Sequence, residues 1–181
     1  MKKILVKLLR EQSYRKGEFL LSSGKESEHY INCKPVILSG EGLDLTSHAM
    51  LEYIESDAVA VAGLTLGADP LVCGVSLASL KSPWAPTVDA LIVRKKAKGH
   101  GTGAWIEGPL PPKGSKITVL EDVITTGGSA LFAVNKLRDA GYVIERIVCI
   151  VNRMDPDFQE NLDNAGIELK SILTLDDIVD K

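Results

Sequence analysis

The sequence predicts an α/β fold in which a parallel sheet is flanked by helices. Short apolar runs alternate with segments of helical periodicity, an alternation typical of parallel strands joined by crossover helices. Aromatic residues make up 5% of the 181 residues, against 45% for all hydrophobic residues. Packing must therefore rely on aliphatic side chains, as in strands buried on both faces. We expect one domain over residues 1–181, with a small N-terminal lobe beside the sheet.

Four apolar runs are predicted to form buried strands, and a weaker fifth run follows them. In chain order the runs are Ala58–Leu64, Ala90–Val93, Ile117–Leu120, Ile147–Val151 and Glu168–Leu173. The segments of helical periodicity are Gly42–Glu55, Asp69–Leu80 and residues 129–142. In the last of these, Leu131, Val134 and Leu137 share one face and Gly141 supplies a stop. Ligands of such sheets bind beyond the carboxyl ends of the strands, so the segments after the strands are the first functional candidates.

The N-terminal region departs from this alternation. Residues 1–12, MKKILVKLLREQ, carry charges every few positions, so they predict a short amphipathic helix and not a signal peptide. Residues 19–32, FLLSSGKESEHYIN, have a Ser-Ser-Gly centre between apolar flanks and predict a hairpin. We assign residues 1–40 to the lobe and residues 41–181 to the core.

Charge and cysteine content exclude several classes of protein. The net charge of −3 argues against nonspecific nucleic-acid binding. No apolar run approaches the roughly 20 residues needed to cross a bilayer, so no membrane partner is expected. Cys33, Cys73 and Cys149 are widely spaced and form no CxxC pair, which indicates buried free thiols in a reducing, cytoplasmic setting.

Residues 117–134, ITVLEDVITTGGSALFAV, contain the pattern most indicative of chemistry. Glu121 and Asp122 lie at the carboxyl end of a predicted strand, and residues 125–129 open directly into a helix. Small residues, hydroxyls and free N–H groups at a helix start form a phosphate seat. Two acids ahead of such a seat fit a ligand with sugar hydroxyls close to a phosphate. The alternative is an acidic turn in which Ser129 caps the helix.

A second candidate is the long segment of residues 95–114, which is basic and rich in Gly and Pro. Its start, together with Arg94, concentrates Lys95, Lys96, Lys98 and His100 directly after a strand. Glycines between them allow the segment to move. A mobile cationic lid would neutralise a departing pyrophosphate. The alternative is a solvated surface loop.

Residues 121–129, EDVITTGGS, resemble the phosphoribosyl pyrophosphate motif of type I phosphoribosyltransferases. The resemblance implies that Glu121 and Asp122 contact the ribose hydroxyls. It also implies that the following loop holds the 5-phosphate, through Val123, Ile124, Thr125, Thr126, Gly127, Gly128 and Ser129. The motif is shared by several such enzymes, so it identifies the donor and leaves the acceptor open.

The basic segment resembles the catalytic loop of the orotate phosphoribosyltransferases. By this resemblance Lys95, Lys98 and His100 reach the pyrophosphate of the same subunit, and Arg94 also contacts the donor. In that family parts of the loop close over the neighbouring subunit's site. The resemblance therefore implies a homodimer with shared active sites.

Three further stretches extend the match, which runs from about residue 17 to residue 153. Residues 63–70, GLTLGADP, resemble the family's pyrophosphate loop, although they also fit an ordinary turn. Residues 19–32 resemble the hood over the base, in which Tyr30 and Ile31 lie against orotate; packing within the lobe is the alternative role. Arg153 matches the arginine that binds the orotate carboxylate through a bidentate fork, although it also fits a surface arginine.

The chain departs from the family pattern at three places. Ser22 stands where many bacterial members have a lysine, so no donor contact is assigned to it. Leu66 and Gly67 replace an aromatic-lysine pair, which leaves backbone contacts there. The acid pair is Glu-Asp where Asp-Asp is usual, which keeps the charge and lengthens one arm.

The resemblance implies the transfer of ribose 5-phosphate from phosphoribosyl pyrophosphate to orotate, giving orotidine 5′-phosphate and pyrophosphate in pyrimidine (UMP) synthesis. Mg²⁺ is the implied cofactor, bound chiefly by donor oxygens and water. Lys98 and His100 would stabilise or protonate the leaving pyrophosphate, Glu121 and Asp122 would fix the ribose, and Thr125 would orient orotate with Arg153. Two alternatives stay open: a related transferase that uses a purine, and a regulator that binds the donor without catalysis.

Overall fold

The computed structural model describes residues 1–20, 24, 26–97, 104–153 and 156–179, and for residues 156 and 157 it describes the backbone alone. Within these ranges the strands are β1 Tyr14–Leu20, β2 Glu26–Ile31, β3 Ala60–Leu64, β4 Asp89–Val93, β5 Ile106–Glu107, β6 Ile117–Ile124, β7 Arg146–Asn152 and β8 Glu168–Thr174. The helices are α1 Lys2–Gln12, α2 Lys34–Ile37, α3 Gly40–Leu51, α4 Asp69–Ser79, α5 Gly128–Asp139, α6 Pro156–Ala165 and α7 Leu175–Ile178. None of these helices is long and apolar enough to cross a membrane.

The central sheet has six strands in the order β5-β4-β3-β6-β7-β8. The five strands from β4 to β8 in this order are parallel, and the two-residue β5 pairs antiparallel with β4. All five predicted strands are present, and the predicted α/β fold class is confirmed. One boundary is wrong: β6 continues to Ile124 instead of ending at Leu120, so the acid pair lies within a strand.

Helices cover both faces of the sheet, and each face has its own apolar core. On one face, α1 to α4 pack against inward-facing strand residues such as Val61, Leu120 and Val148. On the other, α5 and α6 pack against alternate strand residues such as Ala62 and Val119. Side chains of successive strand residues point to opposite faces, so an apolar strand such as β7 contributes to both cores.

The chain reverses its direction of travel across the sheet between β3 and β6. From β3 it moves outward to β4, whereas from β6 it moves the other way to β7 and β8. The two strands pair only from Ala60 with Ile117 to Ala62 with Val119, within the described residues. Beyond that point β6 pairs with β7 through residues such as Glu121 and Val123. A crevice therefore opens at the carboxyl ends of β3 and β6, which is where sheets of this kind bind ligands.

The N-terminal segment forms the predicted helix and hairpin. β1 and β2 pair antiparallel as a separate two-stranded sheet. Helix α1 buries Leu5 and Leu9 in the core on one face of the main sheet. Its Arg10 donates to the backbone carbonyls of Asp177 and Ile178 in α7, at 3.2 and 2.7 Å, so the acidic C-terminal segment is tied to α1. The boundary between a hood over residues 1–40 and a core over residues 41–181 remains a prediction.

All three cysteines are free thiols. Cys33 and Cys149 are buried as predicted, and burial raises the pKa of both thiols well above the ordinary value. The prediction is wrong for Cys73, which is exposed because it lies on the outer side of α4.

Two adjacent glycines form the turn between β6 and α5, and the structure places different demands on them. Gly127 is the N-cap of α5 and has the left-handed φ of 69°. A Cβ atom there would lie 1.8 Å from the ring of the buried Phe158. A Cβ atom on Gly128 would meet no protein atom within 4 Å. The fold therefore needs a glycine at the first position and tolerates a side chain at the second.

We expect Gly127→Ala to lower the free energy of unfolding by about 2–4 kcal/mol, from left-handed strain and the clash with Phe158. Gly128→Ala is the matched control and should change it by less than about 0.5 kcal/mol. Urea denaturation followed by circular dichroism measures both. Equal urea midpoints for the two variants would contradict the conclusion that the fold needs glycine at position 127 and not at position 128.

Candidate active site

Glu121 and Asp122 lie in the crevice where β6 leaves β3. Glu121 is buried, with 5% of its surface exposed, and its Oε1 atom accepts from the backbone N–H of Asp122 at 3.1 Å. Its Oε2 atom is buried without a hydrogen-bond partner among the described residues. Asp122 accepts from the backbone N–H of Val123 at 2.9 Å through Oδ1. The pair thus presents one unsatisfied carboxylate oxygen, which indicates a missing donor.

Burial and the adjacent Asp122 carboxylate raise the pKa of Glu121 to about 8, although Lys34 acts in the opposite direction. The Lys34 Nζ atom lies 3.8 Å from Asp122 Oδ2. Two adjacent carboxylates in a buried position cannot both ionise freely, so the pair favours one shared proton near neutral pH.

The predicted phosphate seat forms a cavity of about 220 Å³. It is lined by Glu121, Val123, Ile124, Thr125, Thr126, Gly127, Gly128 and Ser129. The N-terminus of the 12-residue helix α5 opens onto it, where free backbone N–H groups and the helix dipole favour an anion. The N-cap is Gly127 and makes no side-chain cap bond, so the alternative in which Ser129 caps the helix is excluded.

A second cavity, of about 310 Å³, also lies beside the acid pair. It is lined by Lys34, Leu64, Thr65, Leu66, Gly67, Lys95, Glu121, Asp122 and Ser129. Because Glu121 and Ser129 also line the first cavity, the two cavities adjoin. Two lysines give this second cavity the cations that a second anionic group requires.

The turn of residues 63–70 forms one wall of the second cavity. Its Thr65 hydroxyl donates to Asp69 Oδ2 at 2.8 Å, and the Thr65–Leu66 peptide bond is cis. A Cβ atom on Gly67 would lie 3.2 Å from Asp122 Oδ1, so glycine lets the turn backbone lie directly against the acid pair. Leu66 is 66% exposed.

Of the four residues predicted to bind the donor in and directly before the basic segment, the structure describes Arg94 and Lys95. Lys95 lines the second cavity, and its contact with the donor stays a prediction. Arg94 instead pairs with Glu107 across β4 and β5 at 3.1 Å, and its backbone N–H donates to Trp105 O at 2.8 Å. These contacts join the residue before the segment to residues 105 and 107 within it. Lys98 and His100 lie outside the described residues.

The hood residues predicted to contact a base differ in exposure. Tyr30 is 41% exposed and stacks on Phe19 with ring centroids 5.2 Å apart, so its ring has a free side. Ile31 is buried in the core that α1 to α4 share, so its side chain packs within the protein.

Arg153 connects the core to the hood. Its backbone N–H donates to Ile124 O at 3.0 Å, which places it next to Thr125 of the phosphate seat. Its Nη1 atom donates to His29 O at 3.1 Å and its Nη2 atom to Ser27 Oγ at 2.7 Å. Partial burial lowers the pKa of Arg153 below its ordinary value. Arg153 is therefore half-buried and held by the hood, and its contact with orotate stays a prediction.

Lys34 and Ser27 are not predicted as site residues by any pattern in the sequence. Lys34 follows the predicted base-contacting pair by three residues, and helix α2, which carries it, is too short to produce a periodic pattern. Ser27 lies in a strand in which every second side chain is partly covered. That alternation was the available signal, since it places Ser27 and His29 on the same side of the hairpin.

Taken together, the two cavities and the acid pair form a site for an elongated anion. One end offers a helix N-terminus, the other end offers lysines, and carboxylate oxygens between them can accept from hydroxyl groups. Such a site fits a sugar that carries phosphate groups at both ends.

Comparisons with known proteins agree with this geometry. No family model matches the chain. The chain is 52% identical to the orotate phosphoribosyltransferase of Thermosynechococcus vestitus over 174 residues, which cover 96% of this chain and 90% of the relative. It is 38% identical to that of Methanocaldococcus jannaschii over 175 residues, covering 96% and 94% of the two chains.

Among solved structures, the Mycobacterium tuberculosis orotate phosphoribosyltransferase in complex with 5-phospho-α-D-ribosyl 1-diphosphate superposes with a TM-score of 0.77. Its sequence is 31% identical, and the match covers 98% of both chains. The full-length relatives, the shared fold and the site geometry lead to the same assignment: the chain belongs to the orotate phosphoribosyltransferase family of type I phosphoribosyltransferases.

Proposed function

We propose that this chain transfers ribose 5-phosphate from phosphoribosyl pyrophosphate to orotate, giving orotidine 5′-phosphate and pyrophosphate in pyrimidine synthesis. The observation that carries the proposal is the acid pair between two adjoining anion-binding cavities. The solved relative that binds the same donor supports it. We also propose a cytoplasmic location, since all three cysteines are free.

The donor would lie across the acid pair. Its 5-phosphate would occupy the cavity at the start of α5, and its ribose hydroxyls would donate to Asp122 and to the unsatisfied Oε2 atom of Glu121. Its pyrophosphate would occupy the cavity that contains Lys34 and Lys95. The ribose thus supplies the donor that the buried Oε2 atom of Glu121 lacks.

The donor set fits Mg²⁺ as a cofactor held with the substrate. Within the described residues no group of three or more His, Cys, Asp and Glu side chains could hold a metal ion. Glu121 and Asp122 offer two carboxylates, and Mg²⁺ is usually bound by one or two carboxylates together with substrate phosphates and water. When bound, it would neutralise charge on the pyrophosphate.

In the reaction, the bond between ribose C1 and the pyrophosphate oxygen breaks and its electron pair leaves with pyrophosphate. The resulting oxocarbenium-like centre is attacked by N1 of orotate, and the N1 proton passes to the departing pyrophosphate or to water. Lys95 stabilises the charge that develops on the leaving group, and we assign the same role to Lys98 and His100 of the loop. Arg153 would pair with the orotate carboxylate while Thr125 and Tyr30 orient the ring.

The proposed function predicts a loss of orotate absorbance that requires both phosphoribosyl pyrophosphate and Mg²⁺. Lys98→Ala should lower kcat by about 100-fold or more, because it removes a charge that stabilises the transition state. Lys7→Ala removes the same charge from an exposed position on α1, outside both cavities, and should remain close to the wild type. Parallel assays with adenine, hypoxanthine and uracil test the purine alternative. Donor binding by calorimetry without turnover of any base would instead favour a regulator.

The raised pKa of Glu121 predicts a pH dependence of stability. The folded protein holds the Glu121 proton more tightly than the unfolded chain does. The contribution of this proton to the free energy of unfolding is therefore complete below pH 4.5 and is lost as the pH rises to about 8. Glu121→Gln cannot ionise, so its stability relative to the wild type should improve from pH 5 to pH 8.5. The expected gain is at least about 1 kcal/mol, since one pKa unit corresponds to about 1.4 kcal/mol.

Urea unfolding of the wild type and the variant at several pH values measures this difference. Glu160→Gln is the control, because this carboxylate is exposed on α6. A difference between Glu121→Gln and the wild type that stays constant with pH would contradict the shared-proton assignment.

We further propose that the protein is a homodimer with shared active sites, as the family resemblance implies. Helix α4 and the turn after it offer an apolar surface for a second copy, with Leu77, Leu80 and Trp84 exposed by 58, 67 and 62%. Sedimentation velocity should show a dimer, and Leu80→Glu should shift it toward monomer and reduce activity. Ile4→Glu, an exposed apolar position on α1, should do neither. A fully active monomer would rule the proposal out.

A further inference from the structure

Two hood residues hold the guanidinium group of Arg153. Its Nη2 atom donates to Ser27 Oγ at 2.7 Å and its Nη1 atom donates to His29 O at 3.1 Å. Ser27 lies 126 positions away in the sequence and belongs to the hairpin, whereas Arg153 directly follows β7. The contact therefore joins the hood to the central sheet through a charged group.

The Ser27 hydroxyl is fixed by three hydrogen bonds. It accepts from the backbone N–H of His29 at 3.1 Å and donates to the backbone carbonyl of the same residue at 3.0 Å. A guanidinium has no acceptor, so the bond to Arg153 must use a hydroxyl lone pair. The one hydroxyl proton is thus directed to His29 O, and the oxygen can act as a directed acceptor for the arginine.

The strand segment that holds Arg153 also carries Tyr30. On one side of Tyr30, His29 is fixed by its ring contact with Tyr14, whose hydroxyl lies 2.8 Å from His29 Nδ1. Tyr30 itself stacks on Phe19 of the neighbouring strand β1. The hairpin therefore presents the ring of Tyr30 and the position of the arginine as one unit.

We propose that Ser27 is a positioning residue for orotate, acting through Arg153. The inference rests on the proposed function, in which Arg153 pairs with the orotate carboxylate. A guanidinium has five N–H donors, so Arg153 can keep its bonds to Ser27 and His29 and still offer a fork to a carboxylate. Arginine side chains have considerable rotamer freedom, and the hood contacts remove part of it before the substrate binds.

The inference predicts a selective effect on one substrate. Ser27→Ala should raise the KM for orotate about tenfold, which corresponds to the roughly 1.4 kcal/mol of a single charge-assisted hydrogen bond. The KM for phosphoribosyl pyrophosphate and the thermal midpoint should change little. Ser27→Thr retains the hydroxyl on a residue suited to a strand, and it should restore the KM for orotate.

Steady-state kinetics with each substrate varied in turn, together with thermal unfolding of each variant, tests the inference. An unchanged KM for orotate in Ser27→Ala would overturn it, as would a parallel rise of both KM values with a lower thermal midpoint. A KM for orotate that is raised as much in Ser27→Thr as in Ser27→Ala would also overturn it.

Arg153→Ala separates this inference from the proposed function. If the KM for orotate rises strongly in Arg153→Ala but is unchanged in Ser27→Ala, the proposed function stands and only the positioning role of Ser27 is rejected. An Arg153→Ala variant with an unchanged KM for orotate would reject the carboxylate assignment. A wild-type protein that consumes no orotate would reject the proposed function itself.

Discussion

The structure is organised around two carboxylates at the point where β6 separates from β3. The pairing of β3 with β6 stops at Val119, and the next residues of β6 form the wall of a crevice. Glu121 is buried there with an oxygen that has no partner among the described residues. An unsatisfied buried carboxylate is unfavourable for folding, so its persistence indicates a function. A ligand rich in hydroxyl groups would satisfy it, and the enclosing elements are arranged around that requirement.

Cations reach this crevice from separate parts of the chain. Lys34 comes from the short helix after the hairpin, Lys95 from the end of β4, and the start of α5 adds backbone N–H groups. Asp122 lies close to both Lys34 and Gly67, and glycine at that place lets the turn after β3 approach the acids. Gly67 brings no side chain into the cavity, whose cations are Lys34 and Lys95 from other elements.

The sequence predicted those features that have a local cause. Apolar runs predicted the five parallel strands, and segments of helical periodicity predicted α3, α4 and α5. The residues around Glu121 were identified because their spacing carries the chemistry. The length of β6 was underestimated because charged residues such as Glu121 and Asp122 seldom continue a buried strand. Exposure of Cys73 could not be predicted, since it depends on which side of α4 faces the sheet.

Contacts between distant segments were the part that sequence patterns could not provide. Arg153 was predicted to bind a ligand, but its bonds to Ser27 and His29 depend on how the hairpin docks against the sheet. These bonds also give the hairpin a structural role, because they hold the guanidinium of Arg153. Because the guanidinium is held by backbone and hydroxyl groups of β2, a shift of the hairpin would move Tyr30 and Arg153 together. The hairpin therefore couples the positions of the two side chains that we propose to contact the ring and the carboxylate of orotate.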